Sequence, residues 1–363
     1  MTTLIRLVTT VAALEVTELK AVRMHKCGGV EQLFYEDVDP PTISEPNEVI
    51  VKLKAASINH IDIWNRLGAT GTPLRLPHIL GADGAGTVAQ IGGKVTNVKV
   101  ADPICLYPPT GCGQCEFCLT DRDYMCIRLH VLGERLEGTY AEYVKITAAN
   151  CFPVPAGYSF EEAAALPLVF ITLWRMVITN AELKPGESML IIGIGGGVAS
   201  ATLQVAKKIG ARVIVTSSSD EKLAKAKSLG ADHGINHTRE DLVGVVKNLT
   251  ANQGVDVVVD SVGGERWRQS LASLKRGGRL VTCGATAGGQ PKDDIAAIVS
   301  KQLRIFGSTL GSRQEFGQLL SFLTASRIKP IIDSVFPLRD AALAQLRVET
   351  AQQFGKVVLR IED

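Results

Sequence analysis

Four of the eight cysteines fall between Cys112 and Cys126, in the text GCGQCEFCLTDRDYMC that begins at Gly111, with spacing C-x2-C-x2-C-x7-C. Four thiolates on one short loop can close a tetrahedral zinc shell without help from the rest of the chain, and Gly111 and Gly113 supply the bends. A filled shell leaves no position for a substrate. Cys112, Cys115, Cys118 and Cys126 are therefore expected to hold one structural zinc per chain. Cys27, Cys105, Cys151 and Cys283 stand singly in apolar surroundings. The start, Met1 to Thr17, lacks a basic leader and a small-residue cleavage site, and reads as an extension. In such a chain the cysteine distribution favours a metal over a disulfide framework, and a reducing, cytoplasmic compartment.

The second chemical element is LIIGIGGGVA, Leu190 to Ala199. A strand that turns sharply into a helix can bring its backbone against a pyrophosphate, provided no Cβ obstructs the approach, and the first N–H groups of the helix then face the negative charge. Gly193, Gly195, Gly196 and Gly197 meet that need, Val198 opens the helix, and Ala199 stands where a last glycine is usual. Which dinucleotide fits depends on the end of the following strand, where an NAD site presents a carboxylate to the ribose 2′-hydroxyl. Here the text is Thr216-Ser217-Ser218-Ser219, with Lys222 one turn into the next helix. Ser217, Ser218 and Lys222 suit a 2′-phosphate, and Asp220 reads as the helix cap. NADP is expected, with NAD possible.

These residues need elements to place them. Around the glycine turn the grammar is a strict alternation: strand Ser188–Ile192, helix Val198–Ile209 stopped by Gly210, strand Arg212–Thr216, a helix capped by Asp220, helix Arg239–Leu249, strand Val255–Val259, helix Glu265–Leu274, and strands at Arg279–Cys283 and Gln302–Phe306. Alternation with strands as apolar as VDVVV predicts a parallel sheet covered on both faces. Upstream, Glu48–Ile58 places Val49, Val51, Leu53 and Ala55 on one face and Lys52 and Lys54 on the other, the period of a half-buried strand. Gly81–Ile91 and Gly138–Ile146 read similarly. Ser312 with Glu315 forms a capping box at the start of a late helix, and Lys356–Ile361 is a closing strand. The expected fold is thus α/β, a doubly wound parallel sheet inserted into a mostly β domain. Its divisions are an extension over 1–19, a β-rich domain over 20–154, a dinucleotide domain over 155–310 and a return over 311–363.

Net charge is +2 with the cations scattered, which speaks against a nucleic-acid partner, and no apolar run is long enough to span a bilayer.

Around the two chemical elements stand AASINHIDIWNRLG, PHILGADGAGTV, GTYAEYV, EEAAALPLVFITLW and the closing FGKVVL. From about Lys20 to its end the chain resembles the medium-chain dehydrogenase/reductase superfamily, in its zinc-type alcohol dehydrogenase and quinone oxidoreductase branches. The resemblance implies a Rossmann domain inserted into a GroES-like catalytic domain, and a homodimer or homotetramer. Alcohol dehydrogenases of this family hold a second zinc through a Cys, a His and another Cys or Asp. The matching positions here are Asn59, Ala82 and Leu168, whose side chains cannot replace thiolate and imidazole, while Asp83 matches a nearby family glutamate. Asn59 instead resembles the asparagine of quinone oxidoreductases and enoyl reductases. On this resemblance the chain is expected to be an NADP(H)-dependent oxidoreductase without catalytic zinc, reducing an activated C=C bond or a quinone (a quinone, enone or enoyl thioester). Asn59 would polarise the carbonyl, His60 or solvent would supply the proton, and Asp62 would orient the loop. His237 follows the third strand of the nucleotide domain, where quinone-oxidoreductase relatives place a tyrosine near the 2′-phosphate. Two alternatives stay open. One is a zinc-dependent alcohol or aldehyde dehydrogenase using Asp83 with His78 or His60; the other is a non-catalytic nucleotide-binding protein. His78 and His130 lack ligand-like spacing and are expected to be structural. Ile63, Trp64, Leu168 and Phe170 are the expected walls for a small apolar, carbonyl-conjugated substrate.

Overall fold

Successive side chains of a strand point to opposite faces, so a strand that is apolar throughout must be buried on both. Strand Ser188–Ile192 sends Met189 and Ile191 into one core with Val213, Val215, Val257 and Val259. Leu190 and Ile192 enter a second core with Ile214, Ile235, Val258 and Leu280. The result is a six-stranded parallel sheet whose strands lie in the order His233–Asn236, Arg212–Ser217, Ser188–Ile192, Val255–Asp260, Leu274–Thr282, Arg304–Gly307. The order reverses between Ser188–Ile192 and Val255–Asp260, and a crevice opens beyond their carboxyl ends at that switch point. This is a computed structural model that describes residues 17–290 and 295–362; most of the expected extension over 1–19 lies outside the described residues.

The remaining half is built on a seven-stranded sheet. Its path runs Cys151–Pro153, Pro103–Leu106, Asp83–Ile91, Glu48–Ser57, Lys356–Arg360, Ile332–Pro337, with Tyr143–Thr147 also pairing Glu48–Ser57. The last strands of the chain therefore complete a sheet begun before the nucleotide domain, as expected of an inserted nucleotide domain. Lys356–Arg360 runs antiparallel to Glu48–Ser57 with Val358 opposite Ser57, which sets Lys356 just beyond the end of that strand. Two helices, Phe160–Ala164 and Pro167–Trp174, join the halves. Pro167–Trp174 is apolar nearly all round because Val169, Phe170 and Ile171 share a core with Ala201, Val205 and Phe316. Among the described residues no helix is long and apolar enough to cross a membrane.

Some element limits differ from expectation. The helix expected over Arg239–Leu249 begins at Leu242, because the Asp241 side chain accepts from Val243 N (3.2 Å) and caps it. The one expected over Glu265–Leu274 ends at Ser273, since Leu274 already belongs to a strand. Asp220 is not a cap: Ser219 Oγ accepts from Lys222 N at 3.3 Å, and Asp220 is the first helical residue. Glu48–Ser57 is not half-buried, since Ile50 and Ala56 are as buried as Val49 and Leu53. Neighbouring Ala55 and Ala56 serve two different cores.

Candidate active site

The glycine turn occupies the crevice. Gly193 (φ +76°) and Gly195 (φ +133°) adopt left-handed backbone that L side chains rarely tolerate. Gly197, first residue of the helix Gly197–Ile209, is needed for a different reason: a Cβ there would lie 2.9 Å from Val169 Cγ1 and 3.0 Å from Lys356 Cδ. Gly196 has ordinary extended backbone, and a Cβ on it would meet nothing within 4 Å. That open side is the cleft itself.

The cleft has a volume of about 630 Å³ and runs from this turn in two directions. Towards the next strand it is lined by Ser217, Ser218, Lys222, His237 and Arg266. No carboxylate is presented from the strand end. Asp220 is turned away, accepting from Asn236 Nδ2 at 2.5 Å and from Arg239 at 2.7 Å. Lys222 crosses to the C-terminal return, where its Nζ donates to Ala351 O (2.6 Å). Burial holds the Lys222 ammonium below the usual lysine range. His237 Nδ1 is buried without a partner, and burial, then the nearby Arg266 charge, lowers its pKa. Arg266 was not singled out in the sequence. It sits just past the strand Val255–Asp260, so strand order across the switch point was the signal that could have found it.

In the other direction the wall is formed by Asn59, His60, Trp64, Leu168, Thr172, His130 and Lys356. Ile63 and Phe170, expected here, are sealed inside the two cores. His60 opens the helix His60–Leu67 and its ring stands 6.0 Å from that of Trp64. Burial, then the charge on Lys356, keeps the His60 pKa below the usual imidazole range. Asp62 Oδ2 accepts from Asn59 N (2.8 Å) and Tyr140 OH (2.9 Å), which pins the entry to the helix. Burial pushes the Asp62 pKa up to about 7. His78 is buried, with Nε2 against Gly133 O at 3.1 Å. His130, expected to be structural, reaches the cleft.

Asn59 is held at both ends. Its Nδ2 donates to Asp83 Oδ2 (2.9 Å) and towards Ser57 O (3.4 Å), and its Oδ1 accepts from Lys356 Nζ (2.6 Å). No N–H is left to polarise a substrate carbonyl. Asp83 also accepts from Ser57 Oγ (3.0 Å), Leu168 N (2.8 Å) and Lys356 Nζ (3.2 Å). A fully buried carboxylate is tolerated because its lone pairs are used in this way. Lys356, 3% exposed, went unnoticed in the sequence.

The four lobe cysteines gather as their spacing predicts. Their sulfurs all lie within 4.8 Å of one another, no disulfide joins them, and the N–H groups of Cys112 and Arg128 donate to Cys126 Sγ at 3.3 and 3.4 Å. Such a set fits a tetrahedral zinc ion. The lobe is docked through Asp123, which accepts from Tyr107 OH (3.1 Å) and Arg313 N (3.2 Å).

Comparison with known proteins decides the family. Residues 45–156 match the alcohol dehydrogenase GroES-like domain and residues 197–325 the zinc-binding dehydrogenase domain. An NAD-dependent alcohol dehydrogenase of Sulfolobus acidocaldarius is 32% identical over 94% of this chain and 100% of that protein. The chain belongs to the zinc-type alcohol dehydrogenases of the medium-chain dehydrogenase/reductase superfamily. A zinc-type alcohol dehydrogenase-like protein of Schizosaccharomyces pombe is 34% identical over 95% of this chain and 99% of its own length. A solved NAD-dependent alcohol dehydrogenase is 42% identical with a TM-score of 0.91, covering 94% of this chain and 100% of that one. These relatives overturn the expectation of an alkene or quinone reductase, and favour the alternative of a zinc-dependent alcohol dehydrogenase. The fold of a Rossmann sheet beside a GroES-like domain stands.

Among the described residues the Cys112–Cys126 group is the set of Cys, His, Asp and Glu close enough to hold a metal; Asp83, His78 and His60 do not form a second one. In the cleft the ammonium of Lys356 lies against the oxygens of Asn59 and Asp83. A cation already bonded there does not leave a donor set that fits zinc.

Proposed function

We propose that this chain is a nicotinamide-dependent dehydrogenase interconverting a small apolar alcohol and its carbonyl. The observation that carries the reading is the single cleft joining the glycine turn to His60 and Trp64. A bound dinucleotide would supply the acceptor for one hydride, a hydrogen with both electrons of its bond to the carbinol carbon. The hydroxyl proton then needs an acceptor as the C=O bond forms. Among the described residues no side chain bonds to the His60 ring, and the environment that keeps it neutral leaves a nitrogen free to take that proton. In the reverse direction the same ring returns it. Trp64 and Leu168 line the reacting end with apolar surface and exclude water.

NADP(H) is the proposed partner in preference to NAD(H). Ser217, Ser218, His237 and Arg266 offer donors and positive charge where a 2′-phosphate would lie, and the Asp220 carboxylate is bonded elsewhere. The lobe thiolates are proposed to hold one zinc in a structural role. Self-association is proposed along the edge strand Arg304–Gly307, near which Ile295 and Val299 are each 70% exposed.

The test is a panel of alcohols with NADP⁺ and NAD⁺, and of carbonyls with the reduced forms, beside zinc analysis. His60→Ala should slow turnover by about 100- to 10,000-fold. Tight dinucleotide binding without reduction by any alcohol, or oxidation by any carbonyl, would remove the reading.

A further inference from the structure

Lys356 is a buried cation that the proton transfer above does not use. It begins the strand Lys356–Arg360, directly before the buried Val357, Val358 and Leu359, and is 3% exposed. An ammonium in such a place persists only when paired and fully hydrogen-bonded. Asp83 alone would settle the charge. The ammonium has two further acceptors, Ile58 O at 2.8 Å and Asn59 Oδ1 at 2.6 Å, and both belong to the turn that leads into His60. All three of its N–H groups are thus used.

The stem of the same residue reaches the other side of the cleft. Its Cδ lies 3.0 Å from where a Cβ on Gly197 would be, and the preceding Gly355 N donates to Gly195 O at 2.9 Å. The stem therefore rests on the dinucleotide turn and the head grips the His60 turn. Ile58 N, donating to Val357 O (2.9 Å), ties the two backbones beside it. Among the described residues the His60 ring makes no hydrogen bond, so its place depends on this turn and on its contact with Trp64.

We propose that Lys356 is a positioning residue that sets the distance between His60 and the dinucleotide turn. The inference rests on the reading of His60 as proton acceptor. Its physical content is geometric: a misplacement of about 1 Å in a reacting pair costs roughly 100-fold in rate. A residue that only neutralised Asp83 could be replaced by any cation. Arginine keeps the charge, but its planar fork cannot reproduce the three tetrahedral contacts of an ammonium.

The experiment compares the full chain with Lys356→Arg and Lys356→Met. Three quantities are read: NADPH affinity by fluorescence titration, the single-turnover hydride-transfer rate with the best carbonyl of the panel, and the His60 ring resonances in histidine-labelled protein, assigned with His60→Asn. In both variants hydride transfer should fall by about 100-fold, His60 resonances should shift, and NADPH affinity should change by less than about tenfold. Lys356→Met strands the Asp83 carboxylate; should it not fold, Lys356→Arg decides. A folded Lys356→Arg protein with wild-type hydride transfer and unmoved His60 resonances would overturn the proposal. Wild-type protein that turns over nothing in the panel would instead remove the functional reading, and the His60 resonances would still decide the role of Lys356.

Discussion

Gly196→Ala separates what the dinucleotide needs from what the fold needs. The position has φ −71° and ψ 158°, which alanine adopts without strain, and a methyl group there would meet no protein atom within 4 Å. Two small effects on stability oppose each other. Fewer unfolded conformations favour alanine by about 0.4–1 kcal/mol, whereas alanine is a poorer helix N-cap than glycine by a similar amount, up to about 1 kcal/mol. The melting temperature of the free protein should hardly move. The dinucleotide should suffer, because the methyl projects into the space where a pyrophosphate would meet the helix N-terminus. Losing one hydrogen bond to a charged group costs about 1.5–3 kcal/mol, or roughly 10- to 100-fold in Kd. Gly197→Ala is the contrasting variant. Its Cβ would crowd Val169 Cγ1 at 2.9 Å and Lys356 Cδ at 3.0 Å, so overpacking of about 1–3 kcal/mol should lower the melting temperature even without ligand. Both quantities come from a thermal melt and an NADPH titration. A Gly196→Ala protein that binds NADPH as tightly as wild type would refute the placement of the pyrophosphate.

Cys115→Ser should release the bound zinc and lower the melting temperature, because the lobe then loses the ion that organises it; full metal content with an unchanged melt would contradict the structural role. Ser217→Asp should shift preference from NADP towards NAD. Like charges about 4 Å apart repel by roughly 1–4 kcal/mol between bulk-water and near-surface screening, and a variant still strongly favouring NADP would place the 2′-phosphate elsewhere. Asp62→Asn should change how stability depends on pH. The folded carboxyl titrates at about 7 against an ordinary 3.8, so the folded state binds the extra proton and stability declines as pH rises through that interval. The variant should lose that decline; a wild-type pH profile in Asp62→Asn would show that another group produces it.

The nucleotide half was legible because its strands are covered on both faces: continuous apolar text, glycine stops and turn chemistry all pointed one way. Element limits there slipped where neighbouring polar residues compete for one cap, as Ser219 does with Asp220 and as Asp241 does within Arg239–Leu249, and where a strand takes over from a helix at Leu274. The β-rich half was harder. Alternation in Glu48–Ser57 suggested one wet face, but Ile50 and Ala56 are buried as well, and the strand lies between two cores, Ala56 in one and Ala55 in the other with Ala163 and Ala164. The lobe needed no tertiary knowledge at all, since its four ligands lie on one loop.

The reaction was misread for a reason that the cleft makes plain. Asn59 is expected to be a donor because it resembles the asparagine of quinone oxidoreductases and enoyl reductases, and an amide has N–H groups to offer. Whether they are offered is settled by a residue 297 positions away. Lys356 takes the amide oxygen and Asp83 the amide nitrogen, so the side chain becomes part of the wall. The sequence did contain a sign: FGKVVL sets a cation directly before three consecutive apolar residues of the closing strand. A lysine about to be buried must find a carboxylate and further acceptors. Asp83, embedded in the equally apolar GADGAGTV, was the matching anion. Pairing these two charges occupies the Asn59 amide at both its oxygen and its nitrogen, and leaves the neighbouring His60 as the group proposed for proton exchange.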